Sequence, residues 1–160
     1  MNSRFVFKVV LGAVMMLASA SLAFAHINVS PAQSTQGARE KYTVRVPNEK
    51  KVDVVRLEAE FPVEAGIHRL EHKPEWTVVV AKDASGTITT AVWTLNIPPD
   101  TFVEIGVQGI NSRTADHVVW KFVQHFADGS KESFTGPPGS PAPSPITTLM
   151  PARAPGRASH

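Results

Sequence analysis

Between Glu40 and Phe126 apolar and polar residues alternate with a period of two, and no segment carries the period and caps of an amphipathic helix. Tyr42, Val44 and Val46 share one face. Val55, Leu57, Ala59 and Phe61 share another, as do Thr89, Ala91, Trp93 and Leu95, and then Val103, Ile105 and Val107. Thr77 to Ala81 is a valine-rich run, and Val118 to Phe126 projects Trp120, Phe122 and Phe126 to one side. Successive side chains of a strand point to opposite faces, so this pattern predicts strands. The separators are turn formers: Pro47-Asn48, Ser85-Gly86, Pro98-Pro99-Asp100, Asn111-Ser112 and Asp128-Gly129, the last a strong hairpin signal. Roughly seven or eight short strands spaced about ten residues apart predict an all-β chain folded as an antiparallel β-sandwich, with Trp93 and Trp120 in its core.

The chain has no cysteine, so packing alone must hold the sandwich. Ahead of the alternating body, Arg4 and Lys8 precede an apolar run from Val9 to Ala20, and Ala23-Phe24-Ala25 closes it with small residues at the two positions a signal peptidase reads. The run is short for a bilayer span, which takes about 20 apolar residues. Residues 1–25 therefore read as a cleaved signal peptide. The expected product starts at His26, is periplasmic or extracellular, and keeps no membrane anchor. Of the 16 Lys and Arg, Arg4 and Lys8 leave with the leader, and the remaining 14 balance the 14 Asp and Glu. A neutral chain has no electrostatic footprint for nucleic acid.

From Gly136 the composition changes. Seven of the 13 prolines fall between Pro137 and Pro155. Such a stretch buries little apolar surface to offset chain entropy, which predicts a body over residues 26–148 and a disordered Pro-rich tail over 149–160. Arg153, Arg157 and His160 at its end read as solvated groups.

Little in the chain resembles an organic active site. There is no Cys nucleophile, no Gly-x-Ser-x-Gly elbow and no Gly-rich phosphate loop. Glu58 and Glu60 fall on the solvent side of their strand. No enzymatic activity is expected. The informative residue is His26. Cleavage after Ala25 would free an α-amine on a histidine, and that amine and the Nδ1 of the same residue can close a six-membered chelate on one metal ion. Reference α-amines and imidazoles give up their protons near pH 7.7–8.0 and 6.5, so both serve as donors near neutrality. Two nitrogens with oxygen company suit Cu(II), whereas Cu(I) prefers sulfur, and Met150 is the only sulfur-bearing residue after the leader. His68 and His72 are four residues apart in a β-like stretch, about 13 Å along a strand, and do not suit joint ligation. His117 reads as an exposed strand start.

His26-Ile27-Asn28-Val29-Ser30-Pro31-Ala32, Gly37, Glu40-Lys41-Tyr42-Thr43 and Val46-Pro47-Asn48-Glu49-Lys50 occur in order. They are followed by Lys73-Pro74-Glu75-Trp76-Thr77-Val78, Val118-Val119-Trp120-Lys121, Asp128-Gly129-Ser130 and Thr135-Gly136-Pro137-Pro138-Gly139-Ser140. Together these motifs resemble the YcnI-like family of bacterial copper-binding domains over about residues 26–147. The resemblance implies a cupredoxin-like or Ig-like sandwich holding Cu(II) by a single-histidine brace, here the amine and imidazole of His26. It implies an oxygen ligand near the start of the next strand, matched here to Glu40. The family's Trp-Thr-Gly segment beside the metal reads Phe134-Thr135-Gly136, which keeps the hydrophobic wall and loses the indole N–H. His125 stands where relatives carry an aromatic residue. It is a further candidate ligand if its face turns toward His26, and otherwise a surface or hydrogen-bonded histidine.

Three functions are open at this level. The first is an exported Cu(II)-binding protein in copper homeostasis that stores the ion or delivers it to another copper-handling protein. The second is a metal-free β-sandwich interaction module in which His26 is incidental. The third, a copper monooxygenase, normally adds a second histidine to the brace.

Overall fold

The computed structural model describes residues 26–152. The leader and Arg153, Arg157 and His160 lie outside the described residues. Twelve strands follow one another: β1 (Asn28–Ser30), β2 (Gln33–Thr35), β3 (Arg39–Asn48), β4 (Val54–Glu60), β5 (Ile67–Leu70), β6 (Thr77–Lys82), β7 (Ile88–Ile97), β8 (Thr101–Ile110), β9 (His117–Val119), β10 (Lys121–Phe126), β11 (Lys131–Phe134) and β12 (Ile146–Met150). One 3-10 turn, Val63–Ala65, precedes β5. Among the described residues no helix is long and apolar enough to cross a membrane.

The strands form a four-stranded sheet ordered β1-β3-β8-β5 and a five-stranded sheet ordered β11-β10-β4-β7-β6, both antiparallel. Their inner faces meet in one hydrophobic cluster, as the alternation requires: Tyr42, Val44 and Val46 from β3, Leu57 and Ala59 from β4, Trp93 from β7, Ile105 and Val107 from β8, with Trp120 and Phe122. The indole N–H of Trp120 donates to Thr147 Oγ1 at 3.1 Å, so its one polar atom is satisfied inside the core. Glu58 and Glu60 turn outward, toward Arg56 and Lys121.

The hairpin at Asp128-Gly129 forms as its sequence predicts. Gly129 adopts φ 84°, a conformation that favours glycine, while Asp128 Oδ1 accepts the Ser130 N–H at 2.9 Å. One facing expectation is displaced by a residue. A register shift between Val54 and Arg56 puts Val54, not Val55, into the core. The strand count exceeds the pattern because three- and four-residue strands are too short to show alternation. The run from Val118 also divides at Trp120, with β9 leaving to join a third sheet.

That third sheet, β2-β12-β9, corrects the boundary drawn at Thr148. β12 pairs antiparallel with β9 and parallel with β2 through Met150, and Leu149 and Thr147 are buried. The prolines crowd the connection before β12, whose own residues, Ile146-Thr147-Thr148-Leu149-Met150, carry β-formers without proline. The intervening loop is tied back on itself, with Ser144 N–H donating to Gly136 O at 2.9 Å and Gly136 N–H to Ala142 O at 3.1 Å.

Candidate metal centre

His26 immediately precedes β1, and Ile27, which follows it, is sunk in the core. β1 runs antiparallel to the far half of β3, with Asn28 opposite Arg45. His26 is therefore carried to the C-terminal end of β3, beside Pro47, Asn48 and Glu49. Asn28 Nδ2 donates to the His26 carbonyl at 3.0 Å and fixes the backbone there.

The turn after β3 is held by Asn48. Its buried amide donates to Val52 O at 2.9 Å and Ile97 O at 2.8 Å, and its Oδ1 accepts the Lys50 N–H at 3.0 Å. Glu49 sits between these anchored residues. The turn between β7 and β8 packs alongside: Asp100 N–H donates to Asn48 O at 2.9 Å, and the Asp100 carboxylate pairs with Lys51 at 3.0 Å. Together they enclose an open cavity of about 460 Å³ whose walls include His26, Asn28, Arg45, Glu49, Asp100 and Phe102.

His26 is half-buried, and its Nδ1 is shielded from solvent without a hydrogen-bond partner. A buried polar atom left unmet is costly and needs a reason. The imidazole meets the ring of Phe134 edge-on, with centroids 6.4 Å apart and planes at 71°. Phe134 ends β11, the edge strand of the five-stranded sheet, and is buried. His26 thus stands where an edge of one sheet meets an edge of the other. Among the described residues no three His, Cys, Asp or Glu side chains are grouped to hold a metal ion. The chemistry of the residues admits a metal by another route, since a histidine with a free α-amine chelates through one side-chain and one backbone nitrogen, and the carboxylate of Glu49 lines the same cavity.

Glu40 is not in this cavity. It opens β3 at the other end, five residues from Arg45, while His26 lies two residues beyond Asn28 in the opposite direction, so about 23 Å of sheet separates them at ~3.3 Å per residue. Its carboxylate instead accepts the Ser34 hydroxyl at 2.6 Å. That hydroxyl accepts from the Asn111 amide at 2.9 Å, and Asn111 Oδ1 accepts the Tyr42 hydroxyl at 2.6 Å. Glu40 therefore ends a polar chain that satisfies a buried tyrosine. The glutamate that lines the His26 cavity is Glu49, within the Val46-Pro47-Asn48-Glu49-Lys50 motif. β1 is only three residues long, too short to reveal which half of β3 it would join.

His125 does not line this cavity either. It lies on the outer face of β10, opposite in direction to Phe122 and Phe126, with Nε2 3.0 Å from Glu58 Oε1 on β4. His68 Nδ1 lies 3.3 Å from Gly66 O, His72 is exposed beyond β5, and His117 opens β9 exposed. Of the sequence candidates, the fold unites His26 and Phe134.

A family model described as a domain of unknown function, DUF1775, matches residues 26–150. The copper-binding protein CutI of Bacillus subtilis is 29% identical over 133 residues, 82% of this chain, and the chain spans 65% of that relative's length. The crystal structure of an uncharacterized protein from Nocardia farcinica with an immunoglobulin-like fold superposes with a TM-score of 0.68 at 23% identity, covering 78% of this chain and 97% of that one. This likeness extends to the fold.

Proposed function

The chain belongs to the DUF1775 family, the YcnI-like family its motifs resemble, and from that premise we propose that it is an exported copper-binding protein. In this reading signal cleavage after Ala25 frees the His26 amine, and that amine and Nδ1 chelate Cu(II). Glu49 supplies an oxygen and Phe134 walls the imidazole. The ion is cargo, stored or handed on to another copper-handling protein. The observation that carries the proposal is the buried, unpartnered Nδ1 of His26 in a cavity shared with Glu49. The likeness to a relative named for copper binding supports the choice of metal. Nitrogen and carboxylate donors without sulfur favour the divalent state.

In this reading each part has a task. Ile27 and the β1 pairing fix the histidine backbone, Asn48 fixes the turn carrying Glu49, and Phe134 restricts the ring. Preorganisation of this kind lowers the entropy lost on binding. The test is Cu(II) titration of the mature chain, followed by electron paramagnetic resonance, beside a form with one alanine added before His26. The extension keeps the imidazole and removes the chelating amine. Tight binding should vanish while the fold persists, and equal affinity in both forms would return the case to a metal-free interaction module.

A further inference from the structure

The cavity beside His26 is far larger than an ion needs. Its volume of about 460 Å³ compares with the ~30 Å³ that one water takes in the liquid. The wall away from the histidine holds a cation. Arg45 lies on the outer face of β3, where the register sets Glu104 of β8 directly opposite. The guanidinium takes a different neighbour: its carbon stands 3.9 Å from the ring centre of Phe102, which is half exposed. Phe102 pairs with Pro47, one row nearer to His26, so the stacking draws the positive charge into the cavity. Among the described residues the Arg45 guanidinium forms no ion pair. Of the two lysines in the turn after β3, Lys51 is paired with Asp100 and Lys50 lies over the Phe126 ring, 3.8 Å from its centre.

A guanidinium beside a site for a dication raises the electrostatic cost of loading that site. With Glu49 given to the ion in the reading above, a second anion between ion and guanidinium is attracted to both. The planar fork of arginine matches a carboxylate bidentately, and an aromatic face beneath it holds the fork in orientation. We propose that the Arg45–Phe102 side of the cavity binds a small carboxylate anion that accompanies the metal ion at His26. The pairing with the metal rests on the copper reading above. Anion recognition by Arg45 is a property of this chain with or without metal.

The probe is acetate, with neutral acetamide as control, added to the mature chain first without metal and then loaded with Cu(II). In the metal-free protein, acetate should shift the NMR signal of the Arg45 side-chain Nε–H saturably, and acetamide should not. In the loaded protein, acetate should change the paramagnetic spectrum and bind more tightly than to the metal-free form. Arg45→Met should raise the apparent acetate Kd about tenfold or more, the range expected for losing a charge-assisted pair. In acetate-free buffer the variant should bind Cu(II) no more weakly than the wild type. The proposal is overturned if acetate moves neither signal, if acetamide acts equally, or if Arg45→Met responds as the wild type does. Copper bound at His26 with no acetate response sinks this inference and leaves the copper reading standing. Acetate bound at Arg45 with no copper at His26 sinks the copper reading and the pairing with it.

Discussion

The His26 imidazole stands edge-on to the Phe134 ring, 6.4 Å between centroids, across the seam where the two sheets meet. One residue comes from the start of the described chain and the other from the last hairpin of the five-stranded sheet. The contact exists only when both sheets are assembled, so the candidate metal centre is a product of the whole sandwich. Phe134→Trp should place an indole at this seam. Cu(II) should then quench tryptophan fluorescence more strongly than in the wild type, where Trp93 and Trp120 lie buried in the core and Trp76 is partly buried against it. Equal quenching in both proteins would separate the metal from Phe134. The larger ring should cost about 1–3 kcal/mol of stability through overpacking.

Glu49 and Glu40 should behave oppositely. Glu49→Gln should weaken Cu(II) binding roughly tenfold, about 1.4 kcal/mol, because a neutral amide oxygen is a poorer donor to a dication. Glu40→Gln should leave copper binding unchanged and lower thermal stability by about 1–3 kcal/mol, since it disturbs the partner of the Ser34 hydroxyl. Calorimetric titration and melting of both variants give the answer, and the reverse result would put the oxygen ligand back at the start of β3.

The contrast marks what the sequence makes legible. Trp93, Trp120 and the inward faces of β3, β7 and β8 are readable because long strands display their period many times over. His26 stands out as a candidate in the sequence because expected cleavage chemistry and imidazole chemistry coincide at one residue. The company His26 keeps is not readable, since it depends on which half of β3 the three-residue β1 joins, a tertiary choice with no local signature. The order of β12 is hidden for a similar reason. Its strand formers follow a run of proline, and their stabilisation comes from β2 and β9, distant in sequence.

Glu71 offers a pH test away from the metal. Its carboxylate is held below the ordinary range, first by its hydrogen bond to Lys73, then by the Gly106 N–H and the charges of Lys73 and Lys41, with partial burial opposing. A lowered folded value means stability that is present above the unfolded value, about 4.3 for Glu, and lost as pH falls through the folded one. Glu71→Gln should therefore flatten part of the stability loss between about pH 5 and 3. The effect should stay under about 1 kcal/mol, because the pair is partly exposed. Denaturant unfolding at both pH values checks it, and parallel acid profiles in the two proteins would deny Glu71 any share.

Tyr42 gives the alkaline counterpart with a cleaner readout, because it is the only tyrosine in the chain. The ring is fully buried against Trp120, with centroids 4.8 Å apart, and burial raises its ionisation above the ordinary value near 10. The hydrogen bonds with Ser34 and Asn111 act the other way, and the charge of Glu40 adds to the rise. An unfolded chain releases the phenolic proton near pH 10, and the folded chain holds it longer. The stabilisation is complete below the unfolded value and is lost as pH rises toward the folded one. Tyrosinate absorbance should therefore appear only together with unfolding, as one cooperative step above about pH 10. Tyr42→Phe leaves Asn111 Oδ1 without its donor and should cost about 1–3 kcal/mol at neutral pH. That deficit should shrink above pH 10, where the wild type alone loses its tyrosine-linked stabilisation. A tyrosinate signal rising near pH 10 while the fold is intact, or a deficit constant from pH 8 to 11, would contradict a sealed Tyr42.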